Sequence, residues 1–336
     1  MKNTIRICVV GLGRAGNFHL TSIERINGLD LHSVVDTDAA VAQREGEVRG
    51  CKWSTELTEL MKDDALDAVV VASPTDAHFD YICQALTAGK HVFTEKPVGH
   101  TVEEINTCFE LASKHGLALH LGFQRRFDKN FMALKRRLPE LGDARIVKAS
   151  SRDNPRPSYE YLKISGNIFH DMLIHDFDML MFLFGAKQPE TVFAAGYAYD
   201  ATIASYNDHD TVMVIIKYAD GMVCSIDTSR IAAYGYDQRI EVFGKNGMAT
   251  VENERNNSVN VYTEKGGSYE PYNYSFPQRY KEAYFEEMVQ FADGIRNGQL
   301  TNVAHEECVL SHQLADAALE SIRTGEVVRF SDFTER

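Results

Sequence analysis

The stretch TIRICVVGLGRAG, Thr4–Gly16, decides the fold. Residues 4–10 are apolar and β-rich, as a buried strand requires. Gly11, Gly13 and Gly16 then form G-x-G-x-x-G, and NFHLTSIERI continues with the apolar spacing of a helix. The first glycine permits a tight turn, the second lets a pyrophosphate approach the backbone, and the third allows close helix–strand packing. Arg14 and Ala15 open the helix, whose free N–H groups would face the phosphates. The spacing alone is a weak signal, but its context is complete. LHSVVD follows as a second strand, and Asp36 ends it 20 residues after Gly16. A carboxylate there can accept hydrogen bonds from both adenosine ribose hydroxyls and would repel a 2′-phosphate, so NAD is expected over NADP.

Outward from this unit the pattern repeats. Asp67–Ser73, HVFTEKP and LALHLGF read as further buried strands separated by helical stretches, and WSTELTELM as a short helix entry. Strands alternating with helices predict a parallel, doubly wound sheet. After Phe123 the rhythm changes to β-like runs such as TVFAAGYAY, DTVMVIIKY, MVCSIDTSRI and QRIEVFG, with helices at roughly 279–296 and 305–323. The expected class is α/β: a Rossmann domain over residues 1–123, then an α/β domain over 124–336 with an open, mostly antiparallel sheet.

The chain has 336 residues and a formal net charge of -13, which argues against nucleic-acid backbones as partners. Its six cysteines include no C-x-x-C pair, no segment is apolar enough to span a bilayer, and the start carries no secretory pattern. A cytoplasmic protein is expected.

The central segment HDMLIHDFDMLMFLFG, His170–Gly185, is apolar almost all round yet carries Asp171, His175 and Asp178. On one α-helix their spacing makes a single polar stripe. A His within a turn of a carboxylate in apolar surroundings suits proton transfer. Asp178 is read as support, and Asp176, off the stripe, as a salt-bridge or solvent residue. His305–Cys308, H-E-E-C, lacks the second His of a zinc-protease motif, and His91, His100 and His120 have no ligand spacing, so no metal is expected.

These motifs, with SPTDAH (Ser73–His78), FTEKPVG (Phe93–Gly99) and GFQRRFD (Gly122–Asp128), resemble the Gfo/Idh/MocA family of NAD(P)-dependent oxidoreductases along nearly the whole chain. Within it, SRDNPRP (Ser151–Pro157), IHDFDM (Ile174–Met179) and AYGYD (Ala233–Asp237) are most similar to members that oxidise inositol. The resemblance implies that Ser73, Thr75, His78, Glu95 and Lys96 serve the cofactor, and that Lys96, Asp171 and His175 meet at the nicotinamide. His175 would act as base and Lys96 would stabilise the developing alkoxide. Asp171 would orient His175 or bind a neighbouring hydroxyl. Arg126, Asp153, Asn154, Tyr234 and Tyr284 are candidate polyol ligands, the two tyrosines equally candidates for packing. The family often pairs two glycines ahead of the Asp, where this chain has Gly166–Asn167; Asn tolerates a left-handed backbone next best. The Lys96–Pro97 peptide is expected to be cis and a homotetramer built through the open sheets is implied. The expected reaction is oxidation of a cyclitol hydroxyl to the ketone, as from myo-inositol to its 2-keto form. Alternatives are another cyclitol or aldose (scyllo- or chiro-inositol, a glucose-type sugar), an NAD-using glycosidase, or a non-catalytic NAD-binding regulator.

Overall fold

The computed structural model describes residues 4–334. The chain divides into two compact units, residues 1–127 with 282–309, and residues 128–281 with 310–336. The sequence reading did not anticipate the return of 282–309 to the first unit.

The first unit is built on six parallel strands: β1 (Ile5–Val10), β2 (Leu29–Val35), β3 (Lys52–Ser54), β4 (Ala68–Val71), β5 (His91–Glu95) and β6 (Leu119–Gly122), in the spatial order β3-β2-β1-β4-β5-β6. This is the doubly wound order, which places ligand sites beyond the carboxyl ends of the strands. β3 corrects the reading of this region as helix entry: Trp53 and Ser54 pair with β2, and the helix starts only at Leu57. Three residues are too few to leave an alternating pattern. The core joins Ile7, Val9, Val34, Val70 and Phe93 from the strands to Leu20 and Ile23 from the Arg14–Arg25 helix. Met288, Phe291 and Ala292 from the Lys281–Asn297 helix complete it, which is why that late segment belongs here.

The second unit carries a seven-stranded sheet of β7 (Ala144–Arg152), β8 (Pro189–Tyr197), β9 (Thr211–Tyr218), β10 (Val223–Ser229), β11 (Asp237–Gly244), β12 (Met248–Val251) and β15 (Val328–Arg329), in the order β12-β11-β7-β10-β9-β8-β15. Only β7 and β10 run parallel. The short β13 (Asn260–Thr263) and β14 (Gly266–Tyr269) pair as a hairpin. Burial alternates along β9, with Val212, Val214 and Ile216 inward. Ile146, Met213, Ile215, Val223 and Phe243 are exposed by 38–50% and leave an apolar outer face. No described helix is long and apolar enough to cross a membrane.

Candidate active site

In the first unit the site is written in backbone. Gly11 has φ +86°, and a Cβ there would lie 2.5 Å from the Ser73 amide nitrogen. A Cβ at Gly16 would lie 2.0 Å from the Gly11 carbonyl oxygen, so the helix packs onto the strand only without side chains. At Gly13 nothing stands within 4 Å, which leaves the approach open. The helix that Gly13 caps has no capping side chain and no acidic residue in its first turn, the arrangement an anion requires. Arg14 and Ala15 are its first two residues, as expected. Asp36 accepts from Leu12 N (2.9 Å) on one oxygen and from Asp38 N (3.0 Å) on the other, tying the end of β2 to the glycine loop. Asn17, overlooked in the sequence, donates to the Leu12 and Gly13 carbonyls at 2.8 Å and closes the loop from below. These residues fit the pyrophosphate and ribose of NAD.

Ser73 follows β4, and Thr75 starts a single 3-10 turn. His78, 1% exposed, reaches the Ser73 carbonyl with Nε2 (2.9 Å) and the Pro97 carbonyl with Nδ1 (2.7 Å). It clamps two loops together, while burial pulls its pKa down. Lys96 follows β5, and its peptide to Pro97 is cis. The carboxylate of the preceding residue, Glu95, meets His19 Nε2 at 2.7 Å. Glu287 is fully buried, neither of its oxygens has a hydrogen-bond partner, and its carboxylate belongs to one cluster with His19 and Glu95. Burial first, and the Glu95 charge second, push its pKa well above the ordinary carboxylate value. Tyr284 is 7% exposed and lies 5.2 Å from the Phe18 ring and 6.1 Å from that of His19, in the first unit. Arg126, also in this unit and 7% exposed, pairs with Glu307 at 2.9 Å.

In the second unit the site is written in charge. The single α-helix expected over His170–Gly185 is instead a π turn, Phe169–Leu173, running into an α-helix, Ile174–Phe184. A π turn winds less per residue, so Asp171, His175 and Asp178 do not form the regular stripe that α spacing predicts. Between Asp171 and Leu180, His175 is the only residue not buried. Asp171 accepts from Tyr161 Oη (2.8 Å) and Arg230 Nη1 (2.9 Å). Arg230 is fully buried and also donates to Asp208 at 2.8 Å, and Asp208 accepts from Ile168 N at 2.9 Å. Burial opposes the guanidinium charge, but the Asp171 and Asp208 carboxylates outweigh it and hold its pKa above the usual value. Tyr161, Asp208 and Arg230 carried no local signal in the sequence. Asp178 is fully buried. Asp176, expected at a salt bridge or solvent, is 3% exposed and accepts from Ser151 Oγ at 2.5 Å. Asn167 is not left-handed: Gly166 alone takes φ +83°, and Asn167 Oδ1 caps the turn by accepting from Phe169 N and His170 N.

The other candidates gather at the end of β7. The Asp153 amide donates to the Ser229 carbonyl (2.9 Å), and its own carbonyl accepts from Ala232 N (2.7 Å). Asn154, joined to Pro155 by a cis peptide, donates to the Tyr274 carbonyl at 2.8 Å. The Tyr234 hydroxyl accepts from Arg152 Nη1 at 2.8 Å and donates to Asp237.

Two family models match the chain. One describes an oxidoreductase family with an NAD-binding Rossmann fold (residues 5–123), the other the C-terminal α/β domain of the same family (residues 139–330). The chain is 37% identical over 322 residues to an inositol 2-dehydrogenase from Rhizobium meliloti, covering 95% of this chain and 97% of that protein. The crystal structure of a probable dehydrogenase from Thermotoga maritima superposes with a TM-score of 0.93 at 35% identity, covering 98% of this chain and all of that one. The scyllo-inositol dehydrogenase of Lactobacillus casei, solved with NAD(H) and scyllo-inositol, gives a TM-score of 0.90 at 28% identity, covering 98% and 99% of the two chains.

Proposed function

Because this chain belongs to the Gfo/Idh/MocA oxidoreductase family, we propose that it oxidises a ring hydroxyl of a cyclitol, of the myo-inositol type, to the ketone. The observation that carries this reading is end-to-end similarity to an inositol 2-dehydrogenase, with Lys96, Asp171 and His175 all present. Bound NAD supplies the hydride acceptor, held by the Gly11–Gly16 loop and Asp36. Ser73, Thr75, His78 and Glu95 shape the nicotinamide end.

A carbinol oxygen is a poor acid, so hydride departure requires a base for the hydroxyl proton. His175 takes that proton. Lys96 donates to the same oxygen and stabilises the alkoxide as it develops. Asp171, fixed by Tyr161 and Arg230, is a rigid acceptor for the His175 imidazole or an adjacent hydroxyl. Arg126, Asp153, Asn154, Tyr234 and Tyr284 are the polyol-recognising candidates; the last two already serve structural contacts. The six cysteines are free thiols, which suits a cytoplasmic enzyme. The apolar outer face of the second unit's sheet is the surface through which a homo-oligomer, a tetramer by family resemblance, would form.

The test is NADH formation from NAD and a panel of myo-, scyllo- and chiro-inositol and aldoses. Turnover is expected with at least one inositol isomer. Folded, NAD-binding protein that turns over no polyol would overturn the reading. Lys96→Ala is expected to keep NAD affinity and lose about two or more orders of magnitude in kcat; normal turnover would remove Lys96 from the chemistry.

A further inference from the structure

We infer that His170, His312 and Asp316 form a site for a divalent transition-metal ion of the zinc type. All three lie in the second unit, and their donor atoms lie within 4.8 Å of one another. His312 and Asp316 stand one turn apart on the His305–Thr324 helix, the i,i+4 spacing that directs two ligands to one point. His170 comes from the π turn, 2.8 Å from Asp316 Oδ1 through its Nε2, while His312 Nε2 is 3.6 Å from Asp316 Oδ2. Ligand bonds of about 2.0–2.2 Å in a tetrahedron put neighbouring donors roughly 3.3–3.6 Å apart. The His312 Nε2–Asp316 Oδ2 separation fits that spacing, and the His170 Nε2–Asp316 Oδ1 pair would open from hydrogen-bond contact to admit an ion.

The hydrogen bonds around His170 set the aim of its ring. Asn167 Oδ1 accepts from two backbone amides, so it is an oxygen and not the amide nitrogen. It stands 3.1 Å from His170 Nδ1, which leaves Nε2 as the ring nitrogen that faces Asp316. The Asn167 contact is the outer-shell bond that fixes a metal-binding tautomer. Two imidazoles and one carboxylate suit zinc(II). The His312 side chain is 3% exposed, His170 18% and Asp316 35%, so the site is anchored on one side and open to ion and water on the other. A bound ion would tie the π turn that carries Asp171 to the helix of His312.

The test is calorimetric titration of zinc chloride into tag-free, chelator-stripped protein near neutral pH. One ion per chain is expected. His312→Ala and His170→Gln should each weaken binding by about ten-fold or more. Glu287→Gln, which alters the separate His19–Glu95–Glu287 cluster, should leave it unchanged. Circular dichroism checks folding, and the isosteric Asp316→Asn replaces any histidine variant that does not fold. Absence of binding, or equal affinity in these site variants, would overturn the site. Loss of binding in Glu287→Gln would place the ion in the other cluster. Because binding is read directly, the result stands whatever the substrate panel shows.

Discussion

Both units bury carboxylates beside residues proposed for catalysis, and they stabilise them by different means. Near the end of β5, Glu287 and Glu95 share a cluster with His19, and burial favours the protonated form of Glu287. Around Asp171, two carboxylates share one buried guanidinium, that of Arg230. A proton can be removed by raising the pH. A guanidinium cannot, since it remains charged across the accessible range. One arrangement is therefore titratable and locally adjustable, the other permanent and costly to break.

Arg230→Met is the harshest probe of the contrast. It leaves Asp171 and Asp208 buried without their counter-charge, which costs about 3–5 kcal/mol when one partner of a buried pair is removed. Denaturant unfolding at neutral pH should show that loss. A loss below about 1 kcal/mol, the scale of an exposed pair, would mean the network does not hold the π turn. Asp208→Asn is the gentler cut. It keeps the shape that accepts from Ile168 N but removes one charge from the guanidinium. A loss of about 1.5–3 kcal/mol is expected, the range for hydrogen bonds to charged groups. A larger loss than Arg230→Met would invert the proposed hierarchy.

The same contrast explains what was legible in the sequence. The glycine loop could be read because its requirement is local: Gly11 and Gly16 are needed by atoms of adjacent elements, and alternating strands and helices announce those elements. Asp36 followed from its distance along the chain. The charge network could not be read, because Arg230 lies 59 residues from Asp171 and 22 from Asp208, and nothing in a local pattern pairs them. The π turn was missed because its residues are as apolar as those of an α-helix. Asn167 was read for its backbone tolerance, whereas its side chain caps the turn. Met288 and Phe291 looked like one face of any helix; only the fold shows that they close the first core.

The smallest effect tests the titratable arrangement. Burial raises the Glu287 pKa well above its ordinary value of 4.5. Below that value both folded and unfolded chains hold the proton, and the contribution of Glu287 is fully present. As pH rises the unfolded chain ionises first, so the folded state loses this contribution progressively until the raised folded pKa is passed. Glu287→Gln removes the slope. Its amide N–H can donate toward the Glu95 carboxylate without depending on a proton, and Gln closely matches Glu in shape. The variant should match the native chain in acid and become relatively more stable as pH rises above 4.5. Melting temperatures across that range give the comparison. Parallel curves for the two proteins would mean that Glu287 titrates as an ordinary carboxylate and that the first unit, like the second, carries a buried charge with a partner of its own.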